Sequence, residues 1–182
     1  MRTENTNIPE VLILVPEVTS DERGFFLETY NQRELEQHGI AYPFVQDNLS
    51  HSTSGTLRGL HYQMVQTQGK LVRAVTGEVF NVALDMRRSS KTFGEWVGLV
   101  LSAESKKSLW VPPGFAHGLL ALSQIAEVMY KTTDYYHPQS QRSVRWNDSA
   151  VGIAWPITQG MQVKLSEKDR SAPLFSDAET FS

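Results

Sequence analysis

Two stretches near the middle of this chain decide its fold: Gly55-Thr56-Leu57-Arg58-Gly59-Leu60-His61-Tyr62-Gln63 and Gly69-Lys70-Leu71-Val72-Arg73-Ala74-Val75. Their apolar positions predict two strands joined by a polar loop. Four charged or titratable residues interrupt the strands: Arg58, His61, Lys70 and Arg73. Such side chains on a strand face cost desolvation free energy unless they line a wet cavity or find partners. The cluster indicates a pocket for an anionic ligand with a proton-transfer group inside it. The alternative is a pair of half-exposed edge strands with a solvated charged face.

Length and composition are those of a globular protein. The chain has 182 residues, 40% of them hydrophobic and 20% charged, which predicts a single domain over residues 1–182 with a sizeable core. Its formal net charge of −3 argues against a general nucleic-acid surface, which needs a basic excess. Any anion site must therefore be local, and we expect no nucleic-acid partner.

The chain contains no cysteine, which excludes disulfides, thiolate catalysis and zinc sites built from cysteine. Residues 1–10 are polar and lack the apolar core of a signal peptide. No apolar run approaches the ~20 residues that span a bilayer. We therefore expect a cytoplasmic protein with no membrane partner.

The rest of the chain predicts many short strands and one helix. Asn31 to Gly39 is the predicted helix, because Asn31 can cap its first turn and Gly39 can end it. Phe25 to Tyr30 is predicted to be a strand with Phe26, Glu28 and Tyr30 on one face. Further strands are predicted at residues 11–15, 44–52, 78–86, 95–102, 108–111, 117–122, 126–135 and 142–146, and the tail after residue 163 is expected to be irregular. This pattern predicts an all-β jelly-roll sandwich or barrel with a short helix near the N-terminus.

A second histidine follows a tight turn at Pro112-Pro113-Gly114, where His117 is predicted to begin a strand. Together with His61 it resembles the two-motif pattern of the cupins, in which histidines on neighbouring strands bind a metal inside a barrel. The position two residues after His61 is Gln63, however, and no carboxylate follows until Glu78. One or two histidines without a carboxylate make a poor site for iron, manganese or zinc, so we expect no metal.

Further motifs make the resemblance specific to one family. They are Arg23-Gly24-Phe25-Phe26-Leu27-Glu28, Gln46-Asp47-Asn48-Leu49-Ser50, Leu57 to Gln63, Gln68 to Val72, Leu109-Trp110-Val111-Pro112, His117-Gly118, Tyr130 to Tyr136 and Leu165-Ser166-Glu167-Lys168-Asp169. In this order, over nearly the whole chain, they resemble the dTDP-4-dehydrorhamnose 3,5-epimerases, a cupin family. The resemblance implies a cupin-type jelly roll and an isomerase of sugar nucleotides.

The family's reaction gives the opening stretch a chemical meaning. The resemblance implies epimerisation of dTDP-4-dehydro-6-deoxy-D-glucose at C3 and C5 to dTDP-4-dehydro-L-rhamnose. Both carbons adjoin the C4 carbonyl, so removing either proton gives an enolate without a nicotinamide or metal cofactor. Four catalytic residues are implied: His61 as the general base, Asp169 as its carboxylate partner, Lys70 as the cation near the C4 oxygen and Tyr130 as the acid on the opposite ring face. An imidazole pKa of ~6.5 suits proton abstraction at neutral pH.

The resemblance also implies how substrate and subunits are held. The implied contacts to nucleotide, diphosphate or sugar are Arg23, Phe26, Glu28, Gln46, Asn48, Arg58, His117 and Lys168, with Tyr136 stacked on the thymine ring. Gln141 stands where a nucleotide-binding glutamate often follows the tyrosine pair. A homodimer is implied, in which Arg23 and Glu28 complete the nucleotide site of the partner. Arg73 is interpreted as a solvated charge or a pair at the edge of the core.

Three alternatives stay open at this point. The nearest is an enzyme that epimerises only C3 or only C5, since small changes in sugar placement would make that difference. The second is a sugar-nucleotide-binding cupin without catalysis, against which the full set of His61, Lys70, Tyr130 and Asp169 argues. The third is a metal-dependent cupin oxygenase, which Gln63 disfavours.

Overall fold

Thirteen β-strands and two short α-helices make up the regular structure of the computed structural model, which describes residues 1–182. The strands are β1 (Arg2–Asn5), β2 (Leu12–Val15), β3 (Val18–Asp21), β4 (Gly24–Leu27), β5 (Gln46–Thr53), β6 (Leu57–Gln63), β7 (Lys70–Thr76), β8 (Glu78–Asp85), β9 (Trp96–Ser102), β10 (Ser108–Val111), β11 (Phe115–Ala121), β12 (Ile125–Thr132) and β13 (Gln141–Ser143). The helices are α1 (Gln32–Gln37) and α2 (Glu167–Arg170), with 3-10 turns at Pro138–Ser140 and Phe175–Asp177. The prediction of an all-β chain with a helix near its N-terminus is confirmed.

Two antiparallel sheets carry the fold. One has six strands in the order β1-β2-β10-β7-β12-β5, and the other has five in the order β13-β6-β11-β8-β9. Strands β6 and β7, which formed the opening stretch of the sequence, therefore belong to opposite sheets, and the polar loop between them carries the chain across. Each is an interior strand of its sheet. The edge-strand alternative for this stretch is therefore wrong.

The main core lies between the sheets. It contains Val72 and Val128 from the six-stranded sheet, and Val79, Ala83 and Leu119 from the five-stranded sheet, all almost fully buried. On its other face β8 contributes Val82 and Leu84, which pack with Leu60, Ala116 and the adjacent Met86 in a second cluster. Strand β8 is thus buried on both faces, and this rigid framework positions its neighbour β11, which in turn pairs with β6.

Helix α1 forms where the sequence predicts it. Asn31 caps it by accepting hydrogen bonds from the backbone N–H groups of Arg33 and Glu34. Its one buried residue, Leu35, packs with Ile40. The helix is short, so this apolar contact and the cap are what hold it.

The expectation of an irregular tail is wrong at α2. Ser166 caps this helix, since its Oγ accepts a hydrogen bond from the backbone N–H of Asp169. One turn of helix is too short to show a periodicity, but the capping pattern of a serine followed three residues later by an acidic residue was a usable signal.

The N-terminal hairpin also differs from the prediction. Strand β4 ends at Leu27, not at Tyr30, and pairs only with β3. Phe25 and Phe26 are 60% and 76% exposed, because the hairpin does not pack on the core between the two sheets. The other boundary errors are small: β11 begins two residues before His117, and the last strand is shortened to β13.

Candidate active site

A cavity of about 290 Å³ opens between the two sheets. Eight of the residues predicted from the sequence line it: Arg58, His61, Lys70, His117, Tyr130, Tyr136, Gln141 and Asp169. Six lining residues were not predicted: Ser50, Tyr62, Gln63, Gln68, Leu119 and Ser166. Each of them except Leu119 lies within one of the sequence motifs, which was the signal available for them.

His61 and Asp169 form the central pair of the cavity. His61 Nε2 lies 2.5 Å from Asp169 Oδ1, and 29% of the His61 side chain remains exposed. Burial raises the pKa of Asp169, but the hydrogen bond from His61, assisted by those from Ser166 Oγ and the Gly59 backbone, outweighs it and leaves the pKa below its usual value. An ionised Asp169 fixes the proton of His61 on Nε2. The unprotonated Nδ1, which has no hydrogen-bond partner in the protein, is then free to accept a proton.

Gly59 allows the strand carrying His61 to approach β11 closely. Its φ is +108°, and a Cβ atom built there would lie 2.5 Å from the His117 carbonyl oxygen and 2.7 Å from Gly118 Cα. Only glycine fits this position without moving the backbone. The close approach sets His117 directly across from His61 in the strand register.

His117 is a partly buried histidine on β11. Its Nε2 lies 2.8 Å from Asn81 Oδ1. Burial lowers the pKa of His117 well below its usual value, and the charges of Lys70 and His61 lower it further. Asn81 is fully buried in the middle of β8, and its Nδ2 has no partner. A polar residue within the apolar run Val79 to Leu84 was the signal for Asn81 that the sequence reasoning missed.

Lys70 brings an unpaired ammonium into the cavity. It begins β7, is 7% exposed, and makes no hydrogen bond or ion pair with the protein. Burial lowers the pKa of Lys70 to about 8. The side chain is still mostly protonated at pH 7, so it presents a poorly solvated positive charge to whatever occupies the cavity.

Tyr130 enters the cavity from the six-stranded sheet, whereas His61 belongs to the five-stranded sheet. It lies on β12, opposite Asn48 on one side and Val72 on the other. Burial raises the pKa of Tyr130, partly offset by the charge of Arg58. The hydroxyl therefore stays protonated at neutral pH. A base and a protonated acid thus approach the cavity from opposite walls.

Cationic and aromatic groups surround the open side of the cavity. Arg58 Nε donates to Ser52 Oγ at 3.1 Å and Nη2 donates to the His51 carbonyl at 3.0 Å, but no carboxylate pairs with this guanidinium. Tyr136 is 53% exposed, and its hydroxyl donates to Gln141 Oε1 at 2.8 Å. An unpaired arginine beside an exposed aromatic ring is suited to a phosphorylated ligand with a flat ring.

Gln46 and Asn48 lie on β5 beside this cavity. Gln46 Oε1 accepts from the Tyr136 backbone N–H at 3.0 Å, and its Nε2 donates to Asn48 Oδ1 at 2.9 Å. Asn48 Nδ2 and the cavity-lining Ser50 Oγ are buried without a partner. These two polar atoms are available to a ligand.

Besides Gln46 and Asn48, which lie beside the cavity, four more of the predicted binding residues do not line the cavity of their own chain. Arg23 and Phe26 lie on the exposed hairpin, where Arg23 pairs with Asp21 at 2.5 Å. Glu28 follows the hairpin and accepts a hydrogen bond from Asn31. Lys168 lies on α2 and faces a neighbouring depression instead.

Arg73, interpreted from the sequence as a solvated charge or a paired edge residue, is neither. Its guanidinium is partly buried on β7, its Nε has no partner, and burial lowers its pKa. It lines a groove with Phe25 and Leu27 of the hairpin.

The histidines do not belong to a group of three or more histidine, aspartate or glutamate side chains arranged to hold a metal ion. Gln63, at the position where a metal-binding cupin often has its second histidine, is buried and hydrogen-bonded to backbone groups. None of the helices is long and apolar enough to cross a membrane.

Two facing antiparallel sheets around a polar cavity, with histidines on neighbouring strands, define a cupin-type jelly roll. The family model described as dTDP-4-dehydrorhamnose 3,5-epimerase matches residues 5–177. The chain belongs to the dTDP-4-dehydrorhamnose 3,5-epimerase family, as the sequence resemblance predicted.

Individual relatives agree with this assignment. The dTDP-4-dehydrorhamnose 3,5-epimerase of Pseudomonas aeruginosa is 53% identical over 182 residues, covering 100% of this chain and 99% of the relative. The crystal structure of a dTDP-6-deoxy-D-glucose-3,5-epimerase from Legionella pneumophila, in complex with dTDP-4-keto-L-rhamnose, matches at 50% identity and a TM-score of 0.94, over 97% of this chain and 93% of that one. A 3'-monoepimerase from Streptomyces bikiniensis in complex with dTDP-quinovose is similar at 30% identity and a TM-score of 0.87, over 94% and 87% of the two chains.

Proposed function

We propose that this chain epimerises dTDP-4-dehydro-6-deoxy-D-glucose at C3 and C5, giving dTDP-4-dehydro-L-rhamnose. The family supports the reaction, and the 50–53% identity to 3,5-epimerases against 30% to the 3'-monoepimerase favours double epimerisation. The observation that carries the mechanism is that His61 and Tyr130 reach the cavity from opposite sheets. Inversion at carbon needs removal of a proton from one face and its return to the other, which this arrangement supports.

His61 is the general base of the proposed mechanism. Its Nδ1 takes the proton from C3 or C5, whose C–H bonds are acidified by the adjacent C4 ketone. Asp169, held in place by Ser166, keeps the reactive tautomer and stabilises the imidazolium once it has formed. The charge released from the C–H bond moves to the C4 oxygen as an enolate. The reaction is neutral overall and needs no redox cofactor.

Lys70 is proposed to stabilise the enolate oxygen. A buried ammonium without a counter-ion interacts strongly with a developing negative charge, because little solvent screens it. His117 is neutral, and because its Nε2–H donates to Asn81 Oδ1, its Nδ1 can accept a hydrogen bond from the sugar without competing for that charge. Tyr130 then delivers its hydroxyl proton to the opposite face of the same carbon.

The nucleotide is proposed to occupy the open side of the cavity. Arg58 is suited to bidentate contact with the diphosphate, and Tyr136 to stacking on the thymine. Gln46, Asn48, Gln141 and Lys168 are the further proposed contacts. Gln141 is neutral and already accepts from the Tyr136 hydroxyl, which favours a role in holding that ring.

We further propose a homodimer with shared active sites. Arg23, Phe26 and Glu28 lie outside the cavity of their own chain, and Phe25 and Phe26 expose apolar surface on the hairpin. A second copy would cover this surface and receive Arg23, Phe26 and Glu28 at its nucleotide site. Mixing inactive Arg23→Ala with inactive His61→Asn should restore up to about a quarter of the activity, since one site in four of a random mixture is intact. No recovery in a mixture that light scattering shows to be dimeric and exchanging would contradict shared sites.

A cytoplasmic location is also proposed, supported by the cysteine-free sequence. Cell fractionation followed by an epimerase assay tests it, and activity confined to another fraction would contradict it.

Proton NMR of the 4-keto sugar nucleotide in heavy water tests the reaction. Deuterium at both C3 and C5 with formation of the L-rhamno product, abolished in His61→Asn, is the expected result. Exchange at one carbon only would make this a monoepimerase. Absence of exchange with tight nucleotide binding would leave a sugar-nucleotide-binding protein.

A further inference from the structure

Gln63 is a buried amide whose three hydrogen bonds all go to backbone groups. It is 3% exposed. Its Nε2 donates to the Gln66 carbonyl at 2.8 Å and to the Tyr135 carbonyl at 3.2 Å, and its Oε1 accepts from the His137 N–H at 3.0 Å. The side chain therefore ties the end of β6 to a segment more than 70 residues further along the chain.

The segment that Gln63 holds is the one that carries Tyr136. Strand β12 ends at Thr132, so residues 135–137 are outside the regular sheet. Gln63 binds the residues on either side of Tyr136, and Gln46 accepts from the Tyr136 N–H at 3.0 Å. The two glutamines come from opposite sheets, on β6 and β5. The Tyr136 backbone is thereby fixed from both walls of the cavity. Its ring is 53% exposed, so packing against other side chains does little to fix the ring's position.

We propose that Gln63 is a positioning residue that holds the Tyr135–His137 backbone so that the Tyr136 ring is ready to receive the nucleobase. This inference rests on the proposed function, in which Tyr136 stacks on thymine. An aromatic ring fixed before binding pays less ordering entropy when the base arrives, so its stacking contributes more to affinity. The position two residues after the base His61 thus acts on the nucleotide end of the substrate.

The chemistry of the side chain explains why an amide suits this position. Two carbonyls need donors and one N–H needs an acceptor, and only a side-chain amide offers both in a neutral group of this length. A glutamate would keep the acceptor for His137 but would place a negative charge against the carbonyls of Gln66 and Tyr135. A methionine would keep the volume and remove all three bonds.

A double-mutant cycle with Gln63→Met and Tyr136→Ala tests the proposal. The dissociation constant for dTDP is measured by calorimetry, and kcat and KM are measured with the sugar nucleotide. Each single variant is expected to weaken dTDP binding about tenfold, the size expected for one stacked base. The double variant is expected to be no weaker than Tyr136→Ala alone, because Gln63 acts through that ring. KM should rise with the dissociation constant while kcat stays within about twofold, since the groups at the sugar are untouched.

Asp148→Asn is the matched control. Asp148 is also buried, and its carboxylate holds backbone N–H groups of Ala150 and Phe175, but it does not line the cavity. This variant should lower the unfolding temperature and leave the dTDP affinity unchanged. If Gln63→Met does not fold, Gln63→Glu enters the same cycle.

The outcomes separate this inference from the proposed function. Wild type that binds dTDP but never exchanges C3 or C5 would refute the function. If the wild-type enzyme turns over the substrate but Gln63→Met binds dTDP as tightly as wild type, the positioning role of Gln63 is wrong and the proposed function stands. The same conclusion follows if the losses of dTDP affinity in the two single variants multiply in the double variant.

Discussion

His61 Nε2 lies 2.5 Å from Asp169 Oδ1, although the two residues are 108 positions apart in the sequence. The pair joins an interior strand of the five-stranded sheet to the one-turn helix α2 near the C-terminus. Because Asp169 also accepts from Ser166 Oγ at 2.8 Å, its carboxylate is fixed before any ligand binds. This relationship determines which nitrogen of His61 can act as a base.

Asp169→Asn should lower kcat by about 10²–10⁴-fold with little change in dTDP affinity. An asparagine can donate a hydrogen bond to His61 Nε2 and so favour the tautomer of His61 with its proton on Nδ1. In that tautomer Nδ1 cannot accept a proton from the sugar. Deuterium-exchange assays quenched at successive times give kcat, and calorimetry gives the dissociation constant for dTDP. Ser166→Ala, which removes only the support for Asp169, should have a smaller effect. An Asp169→Asn rate close to wild type would contradict the role of the pair.

Tyr130→Phe should separate proton removal from inversion. His61 remains able to take and return a proton on its own face, so deuterium should still enter the substrate without inversion. Formation of the epimerised product should fall by about 10²–10³-fold, since the proton donor on the opposite face is lost. NMR distinguishes exchange with retention from exchange with inversion. Tyr30→Phe, which removes a hydroxyl outside the cavity, is the control; full inversion by Tyr130→Phe would require another acid.

Lys70→Met should lose activity and become more stable than wild type. Burial lowers the pKa of Lys70 from 10.5 to about 8. At pH 7 the ammonium is therefore less well solvated in the folded protein than in the unfolded chain. This lowers the free energy of unfolding by up to about 3 kcal/mol. The substitution should raise the free energy of unfolding at pH 7 and abolish turnover. Chemical denaturation with a parallel NMR assay measures both. A Lys70→Met protein that is less stable than wild type would contradict this account.

The same pKa predicts a pH dependence. Between about pH 8 and pH 10.5 the unfolded chain binds more protons than the folded protein at Lys70, so this residue's contribution to stability rises with pH. Activity should move in the opposite direction and fall as pH rises through about 8, because the enolate needs the protonated ammonium. Lys70→Met should lack this step in stability, and its persistence in that variant would assign it to another group.

Asn81→Asp should convert His117 into a titrating group. In wild type, burial and the neighbouring charges of Lys70 and His61 lower the pKa of His117, and the amide of Asn81 offers no opposing charge. A carboxylate at this position would favour the imidazolium and raise that pKa. Nitrogen-15 NMR of the ring at pH 6.5 should show a neutral His117 in wild type and a larger charged fraction in the variant. A His117 that stays neutral in both would contradict the prediction.

Gly59→Ala should destabilise the fold by about 3 kcal/mol, because a Cβ atom would lie 2.5 Å from the His117 carbonyl oxygen at a positive φ. Gly39 is the matched control: its φ is also positive, at +81°, but a Cβ atom there meets nothing within 4 Å. Gly39→Ala should therefore cost only about 1 kcal/mol. Equal losses in the two variants, measured by chemical denaturation, would show that the contact with β11 is unimportant.

Much of the fold was predictable from short windows of sequence. The apolar runs of β6 to β12 and the cap at Asn31 are local signals, and they predicted these elements within a few residues. The hairpin β3–β4 was less predictable because its exposed faces impose no alternation. Helix α2 was missed since one turn has no period, although the Ser166 to Asp169 spacing carried a capping signal.

The site divides in a similar way. The sequence pointed to His61, Lys70 and Arg58 because charged or titratable groups within strands cost desolvation free energy unless they have partners or line a wet cavity. The family motifs added Tyr130 and Asp169. Asn81 and the three backbone partners of Gln63 were not predicted. Their roles depend on which strand or loop lies next to them, and nothing within a few residues of either position determines that.

The sequence by itself determined that the chain is all-β, that a cationic and proton-transferring cluster lies on two successive strands, and that the chain resembles one family of epimerases. Only the tertiary structure decided that β6 and β7 lie in opposite sheets, so that His61 faces the cavity from one wall and Lys70 and Tyr130 from the other. The physical reason is that strand propensity and capping act over a few residues, whereas strand order and register follow from burying all the apolar faces together. Chemistry at the two faces of a sugar ring depends on that arrangement.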